Sequence, residues 1–211
     1  MEVALIDTVV LTGNSDVRHA DSGALLRELP GSEHPGPADE ALAATQLAWL
    51  KGVLAASTAD YLIVGGHYPV YSICEHGPTL LLIAQLKPLF EAHNVTAYVN
   101  GHDHCMEYLN DGSDVDYHTI GSAHSNDPST AHASAVPAGS LKFHTQGKLG
   151  GFASVSVTAE VGAISFRSAG TGLVMKICRN HTQGPDLKAI RAVNLALIWS
   201  SSRVCGWICL A

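Results

Sequence analysis

The chain has 211 residues, of which 46% are hydrophobic and 15% charged. This composition is typical of a globular domain with a sizeable core and excludes a disordered chain. The formal net charge is -7 and no run of Lys or Arg occurs, so the electrostatic pattern of a nucleic-acid-binding protein is missing. No apolar stretch is long enough to span a membrane, and residues 1–10 lack the pattern of a signal peptide. We therefore expect neither a nucleic-acid nor a membrane partner.

Apolar patterns in the first half of the chain predict strands that alternate with helices. Between the first strand and the first helix, residues 14–40 are polar and rich in Gly and Pro, which predicts a functional loop or a disordered insertion. Pro88 should kink or divide the second helix. The order of elements indicates an α/β fold. The predicted strands are 3–11, 61–64 and 95–99, and the predicted helices are 43–56 and 79–93.

The second half of the chain has short apolar segments separated by turns, which is typical of antiparallel strands. The spacing of Leu187, Ile190, Val193 and Leu197 then predicts a short amphipathic helix. We expect a domain at 1–177 and a divergent tail at 178–211. The strands predicted in this half are 117–120, 141–144, 152–157 and 163–167.

Two histidine-containing segments each follow a predicted strand directly. Residues 64–69 read VGGHYP and residues 101–104 read GHDH. Sites in α/β proteins gather at the carboxyl ends of strands, and Gly allows the sharp turn that brings a side chain back over that edge. Neutral imidazole is a good ligand for zinc and iron. The two segments together predict a metal site, although a single loop histidine at a strand end is more often structural.

These segments resemble the last motifs of the purple acid phosphatases, a family of the calcineurin-like metallophosphoesterase superfamily. The order VxxH and then GHxH is that of the family, and the flanking sequence resembles its small mammalian-type members. The resemblance covers roughly residues 3–177. The matching segments are 6–9 (IDTV), 13–16 (GNSD), 66–69 (GHYP), 75–79 (EHGPT), 95–98 (VTAY), 101–104 (GHDH) and 150–152 (GGF).

The resemblance implies a fold, a reaction and a set of ligands. The fold would be a partial metallophosphoesterase two-sheet β-sandwich flanked by helices, with residues 1–177 as the C-terminal part of the domain. The reaction would be acid hydrolysis of phosphate monoesters by iron and a second divalent metal (iron, zinc or manganese). His67 and His102 would bind the divalent metal and His104 the ferric ion. His76 would bind phosphate or protonate the leaving group. Family members are secreted or lysosomal.

The earlier motifs of the family, GDxG, GDxxY and GNH[DE], are not found. The sequence has no Gly-Asp dipeptide, and residues 13–16 are not the Asn-His motif. We therefore expect weak or no metal binding unless an upstream segment supplies the missing Asp, Tyr and Asn, because ligand number sets metal affinity. Three readings stay open: an enzyme completed upstream, a non-catalytic truncated or alternatively spliced member, and a chain that does not fold stably alone.

The remaining candidates have weaker signals. The five cysteines show no zinc-site spacing, and their odd number argues against complete disulfide pairing. Cys105 is either a buried structural residue or a reactive thiol. Trp49 is expected in the core or on a helix surface, and residues 116–118 (DYH) in a strand. His124 has a weak signal for a substrate-facing role, and we expect no role for His19, His34, His132 and His181. The resemblance places the disulfide of the mammalian-type members on Thr12 and Leu81, which cannot form it.

Overall fold

The computed structural model describes residues 1–14, 34–123, 125–157, 161–168, 172–180, 193–198 and 207–210. Within these residues the helices are α1 (Thr8–Thr12), α2 (Glu40–Ala56) and α3 (Leu80–Ala92). None of these helices is long and apolar enough to cross a membrane. The strands, in chain order, are β1 (Glu2–Leu5), β2 (Leu62–Gly65), β3 (Ala97–Asn100), β4 (Met106–Leu109), β5 (Asp116–Ile120), β6 (Leu141–His144), β7 (Gly151–Val157), β8 (Val161–Ser168), β9 (Gly172–Asn180), β10 (Val193–Ile198) and β11 (Trp207–Leu210).

In the part of the chain that the structure describes, the strands form two sheets. The first has six strands in the order β1-β2-β3-β5-β4-β6, and the pairs among β1, β2, β3 and β5 are parallel. The second has five strands in the order β11-β10-β7-β8-β9, all paired antiparallel. The predicted α/β fold with two sheets and flanking helices is confirmed. The antiparallel pairing predicted for the second half is confirmed for the five-stranded sheet and for β6, whereas β5 pairs antiparallel with β4 but parallel with β3.

The six-stranded sheet carries an apolar layer on each face because side chains alternate along its strands. Leu62 and Val64 of β2 pack on the helix side, in one cluster with Leu86 of α3. Ile63, which lies between them, packs on the other side with Val155 of the second sheet. The first layer anchors the helices and the second holds the two sheets together.

The first predicted strand is wrong over most of its length. Residues 3–11 were expected to form one buried strand, but β1 ends at Leu5 and α1 begins at Thr8. The Asp7 carboxylate accepts hydrogen bonds from the backbone N–H groups of Val9 and Val10 and so caps this short helix. In addition, β1 lies at the edge of the sheet and is mostly exposed. Local capping therefore overrides the strand preference of the β-branched residues.

Helix α3 is continuous through Pro88, although the sequence suggested a kink or a division. Leu82, Leu86 and Phe90 recur at four-residue spacing on both sides of the proline, and all three are fully buried. Their burial on the sheet offsets the hydrogen bond that proline cannot donate. The prediction of helix 43–56 is also confirmed, with α2 beginning slightly earlier at Glu40.

The amphipathic helix predicted near the end of the chain is wrong where the structure describes it. Residues 193–198 form β10, which pairs with β7; residues 187–192 lie outside the described residues. Val193 and Leu197 are four residues apart, a spacing that fits one face of a strand as well as one face of a helix. Strands β4 and β9 were not predicted. The division between 177 and 178 stays a prediction, and β9 extends across it.

Two glycines provide a matched test of this packing. A Cβ atom on Gly66 would lie 2.4 Å from the Tyr98 hydroxyl and 2.7 Å from a Thr8 methyl, whereas one on Gly52 in α2 would meet nothing within 4 Å. We expect Gly66→Ala to lower the free energy of unfolding by about 1–3 kcal/mol through overpacking. We expect Gly52→Ala to leave it unchanged or raise it by up to about 1 kcal/mol. Urea unfolding measures both, and equal effects would contradict the packing described for Gly66.

Candidate metal and phosphoester site

The two histidine loops leave the same edge of the six-stranded sheet. His67 follows β2 and His102 follows β3, and these strands are parallel neighbours. The Gly66 N–H donates to the Val99 carbonyl over 3.1 Å, and the Gly101 N–H donates to the His67 carbonyl over 3.2 Å. The two loops are therefore held together by backbone hydrogen bonds at the carboxyl ends of the strands, where sites in such sheets are expected.

Three of the four predicted site residues come together at this edge. The Nδ1 atom of His102 lies 3.2 Å from the Nε2 atom of His67. The ring of His76 lies 4.4 Å from that of His102, and the ring of Tyr68 lies 4.6 Å from it on another side. His102 is thus the centre of a cluster of rings that two loops and the turn at His76 supply.

His102 is held in an unusual state. Its backbone φ is 62°, in the left-handed region that costs a non-glycine residue energy. The pKa of His102 is lowered to about 2, chiefly by burial and to a smaller extent by the nearby His76, His67, His34 and His104. Among the described residues its Nε2 atom is buried without a hydrogen-bond partner. The ring is therefore neutral across the usual pH range and has an unsatisfied nitrogen.

His104 lies at the margin of this cluster. Its charge would lower the pKa of His102, but in the described residues its ring makes no stacking contact or hydrogen bond with His67, His76 or His102. In the described part of the chain, Cys74, Cys105 and His144 provide three possible ligand atoms that lie within 4.8 Å of one another. The predicted histidines do not form such a group there.

His34 is a member of the cluster that sequence reasoning missed. Its ring lies 4.2 Å from that of Tyr68 and 6.4 Å from that of His102. Its Nε2 atom is 3.3 Å from the Thr79 hydroxyl and its Nδ1 atom 3.5 Å from the Thr12 hydroxyl. No local pattern predicts this placement, because His34 lies in a long polar segment that is distant in sequence from the other loops of the cluster.

Asp103, the third residue of the GHDH segment, also has a role that the sequence did not indicate. The side chain is fully buried. It accepts hydrogen bonds from the Ser72 hydroxyl and, over 2.7 Å, from the backbone N–H of His76. These bonds fasten the turn at residues 72–77 to the loop that carries His102. They place His76 beside His102, since the carboxylate binds the backbone of His76 directly.

A disulfide joins the same two segments. Cys74 and Cys105 are bonded, with their Cα atoms 6.6 Å apart and a sequence separation of 31. Cys105 is therefore a buried structural residue, one of the two readings of the sequence, and not a reactive thiol. One disulfide among five cysteines does not contradict the expectation that their pairing is incomplete. The bond lies next to His104 and two residues before His76, so it cross-links the two loops at the cluster.

The sequence also singled out residues outside the two histidine loops. Residues 116–118 form part of β5, as predicted. Trp49 lies on the surface of α2 and is 48% exposed. His132 packs against Gly77 and its Nδ1 atom lies 2.7 Å from the Cys74 carbonyl oxygen. His19, His124 and His181 lie outside the described residues.

The chain is similar to known phosphoesterases and acid phosphatases. A profile of calcineurin-like phosphoesterases matches residues 6–106. The chain is 43% identical over 169 residues to tartrate-resistant acid phosphatase type 5 from Homo sapiens, a match that covers 79% of this chain and 49% of that protein. The chain belongs to the calcineurin-like phosphoesterase family. It is also 35% identical over 103 residues to purple acid phosphatase 3 from Arabidopsis thaliana, which covers 48% of this chain and 27% of that protein.

The chain spans about half the length of the tartrate-resistant relatives it matches. Solved structures share its fold. GAP50, the anchor in the inner membrane complex of Plasmodium, has a TM-score of 0.60 at 22% identity and covers 87% of this chain and 50% of that chain. Purple acid phosphatase PPD1 from yellow lupin has a TM-score of 0.51 at 14% identity, and the match covers 64% of this chain and 28% of that chain. At these identities the likeness concerns the fold alone.

A second buried carboxyl group, that of Glu107 in β4, makes folding stability depend on pH. Glu107 is fully buried and accepts hydrogen bonds from the Ile73 N–H and the Thr119 hydroxyl. Burial raises its pKa from 4.5 to about 7. The folded chain therefore favours the neutral form. The contribution of Glu107 to the free energy of unfolding is fully present below pH 4.5 and is lost as the pH rises to about 7.

We expect Glu107→Gln to remove this pH dependence. A neutral amide has no charge to bury: its oxygen accepts from the Ile73 N–H, and its NH2 group donates to the Thr119 hydroxyl oxygen in place of the bond that the carboxylate accepted. The variant should gain roughly 3 kcal/mol of unfolding free energy relative to the unchanged chain between pH 4.5 and pH 7. Urea unfolding of both chains across this range measures the difference between their profiles, which cancels the titration of other groups. Parallel profiles would show that Glu107 does not titrate with a raised pKa.

Proposed function

We propose that this chain contributes to the hydrolysis of phosphate monoesters at a dinuclear metal centre, with His67, His102 and His104 as ligands and His76 beside the substrate. The observation that carries the proposal is the 3.2 Å separation between the His102 Nδ1 and His67 Nε2 atoms at the carboxyl ends of β2 and β3. The family supplies the reaction class, since its members are phosphoesterases. The distance between the His67 and His102 nitrogens and the neutral state of His102 argue for a metal ion.

Two imidazole nitrogens that bind one tetrahedral ion at 2.0–2.1 Å lie about 3.3 Å from each other. The separation between His67 and His102 fits this value. A neutral ring is required for binding, and burial keeps His102 neutral. Imidazole suits a divalent ion such as zinc or ferrous iron. We assign this ion to His67 and His102, and we assign His104 to the neighbouring iron.

His76 would act on the substrate rather than on a metal. Its backbone is fastened by Asp103, and its ring stands 4.4 Å from the ring of His102. A phosphate ester bound at the pair would therefore lie within reach of His76, which can donate a proton to phosphate or to the leaving oxygen. When bound, the metal ions supply the Lewis acidity and the activated water that this hydrolysis needs.

A second candidate is a non-catalytic family member that binds metal weakly or not at all. The observation that favours it is the ligand count. The described residues do not bring His67, His102 and His104 into one group, and the sequence has no Gly-Asp dipeptide. A site with two strong ligands binds less tightly than one with three or four.

Metal content and hydrolysis of p-nitrophenyl phosphate at acid pH distinguish these two functions. The chain would be purified, dialysed with iron and zinc, and freed of excess metal. We expect bound metal and turnover, and we expect His102→Ala to reduce metal affinity by at least about tenfold, since it removes one of the paired nitrogens. His76→Ala should lower turnover with little effect on metal content.

His93→Ala is the matched control because His93 follows α3, before β3 begins, and so lies near the opposite edge of the sheet. It should change neither quantity. A soluble, folded chain that holds no metal and has no turnover would reject the catalytic proposal and support the non-catalytic one. Metal retained equally by the His102 and His93 variants would reject the assignment of His102.

A further inference from the structure

A separate set of metal-ligand atoms lies behind the histidine cluster. Cys74, Cys105 and His144 each offer one atom, and the three atoms lie within 4.8 Å of one another. They come from different parts of the chain: the turn at 72–77, the loop after His104 and the end of β6. Neither the sequence resemblance nor the proposed phosphoesterase site uses them. Cys74 and Cys105 are 31 positions apart, and His144 follows 39 positions later. This spacing matches no known zinc motif, so the group could not be predicted from the sequence.

The chemistry of the group depends on the state of the two sulfurs. In the disulfide they are bonded to each other and cannot act as thiolate ligands. Once reduced, two thiolates and one imidazole form a soft donor set that suits zinc, with bonds of about 2.3 Å to sulfur and about 2.0 Å to nitrogen. Two thiolates on one tetrahedral zinc ion lie about 3.8 Å apart, a separation that Cα atoms 6.6 Å apart can accommodate.

His144 is prepared for such a role. Gln146 Nε2 donates a hydrogen bond to its Nδ1 atom over 2.8 Å. Its Nε2 atom is buried and has no partner among the described residues. Burial also lowers the pKa of His144, which keeps the ring neutral. If the Gln146 amide reverses and the imidazole proton moves to Nδ1, the amide oxygen accepts a hydrogen bond from the Nδ1–H group and the Nε2 lone pair becomes available, as in metal-binding histidines that donate their other N–H to a neighbour.

We propose that reduction of the Cys74–Cys105 disulfide creates a binding site for one thiophilic divalent cation, represented by Zn²⁺, with Cys74, Cys105 and His144 as ligands. A dithiol supplies two electrons and two protons and is oxidised to its own disulfide as the S–S bond breaks and two thiols form. With a phosphine, the phosphorus supplies the two electrons and becomes a phosphine oxide, while water supplies the two protons and the oxygen. The cation then displaces both thiol protons and forms two metal–sulfur bonds and one metal–nitrogen bond. A fourth position is left for water.

Access to the site comes from the side of His144. Both cysteines are fully buried, whereas His144 is only partly buried. Strand β6 lies at the edge of the six-stranded sheet, so its outer side has no partner strand among the described residues. The bound cation then joins the same two loops that the disulfide joins.

The test compares the oxidised chain with the chain reduced by a phosphine, which is then removed without oxygen. Zn²⁺ alone is the probe. We expect the reduced chain to bind one more Zn²⁺ per chain than the oxidised one. Zn²⁺ should also protect Cys74 and Cys105 from alkylation, as read by peptide mass spectrometry, while Cys178, Cys205 and Cys209 serve as internal controls. Co²⁺ should give the near-ultraviolet charge-transfer absorption of metal–thiolate bonds.

Variants assign the ligands. His144→Ala should weaken the additional Zn²⁺ site by at least tenfold, and His93→Ala should leave it unchanged. His102→Ala should also leave it unchanged, which keeps this result independent of the phosphoesterase proposal. The inference is overturned if reduction adds no Zn²⁺, if the additional ion is retained fully in His144→Ala, or if protection falls on the other cysteines. If His144→Ala does not fold, the alkylation pattern of the unchanged chain decides, since joint protection of Cys74 and Cys105 is required.

Discussion

The Asp103 carboxylate accepts hydrogen bonds from the Ser72 side chain and the His76 backbone, and these bonds join the two loops that carry the candidate site. A fully buried carboxyl group without partners would be very unfavourable, so the turn at residues 72–77 must close over Asp103 for the chain to fold. The position of His76 is thus a consequence of satisfying a buried charge. The disulfide adds a covalent link at the same place.

Parallel strand order does the rest of the positioning. Because β2 and β3 are neighbours, the segments that follow them begin side by side, and the glycines at 66 and 101 allow the loops to cross at hydrogen-bond distance. A side chain at position 66 would strike Tyr98, whose hydroxyl donates to the Tyr68 carbonyl. The close approach of backbone to backbone is what brings His67 and His102 within 3.2 Å.

Much of this could be predicted from the sequence because the signals are local. Buried four-residue strands followed by Gly and His identify the sheet edge, and the leucine stripes identify α2 and α3. The failures have physical causes too. The Asp7 side chain caps α1, so β1 ends earlier than predicted. Apolar residues three and four positions apart predicted a helix where β10 forms. His34 and the Cys74–Cys105 pair depend on contacts between distant segments, which no local pattern records.

The base of the long polar segment is closed by the structure. The Gly36 N–H donates to the Thr12 carbonyl over 2.8 Å, and the Gln46 side chain binds both the N–H and the carbonyl of Asp7. The two ends of the segment between Thr12 and Gly36 therefore meet at one point. The entropy of closing a loop grows only with the logarithm of its length, so doubling the segment costs about 0.6 kcal/mol. Insertions between Thr12 and His34 are consequently expected to leave the sheet undisturbed, provided that His34 keeps its contacts with the Thr12 and Thr79 hydroxyls.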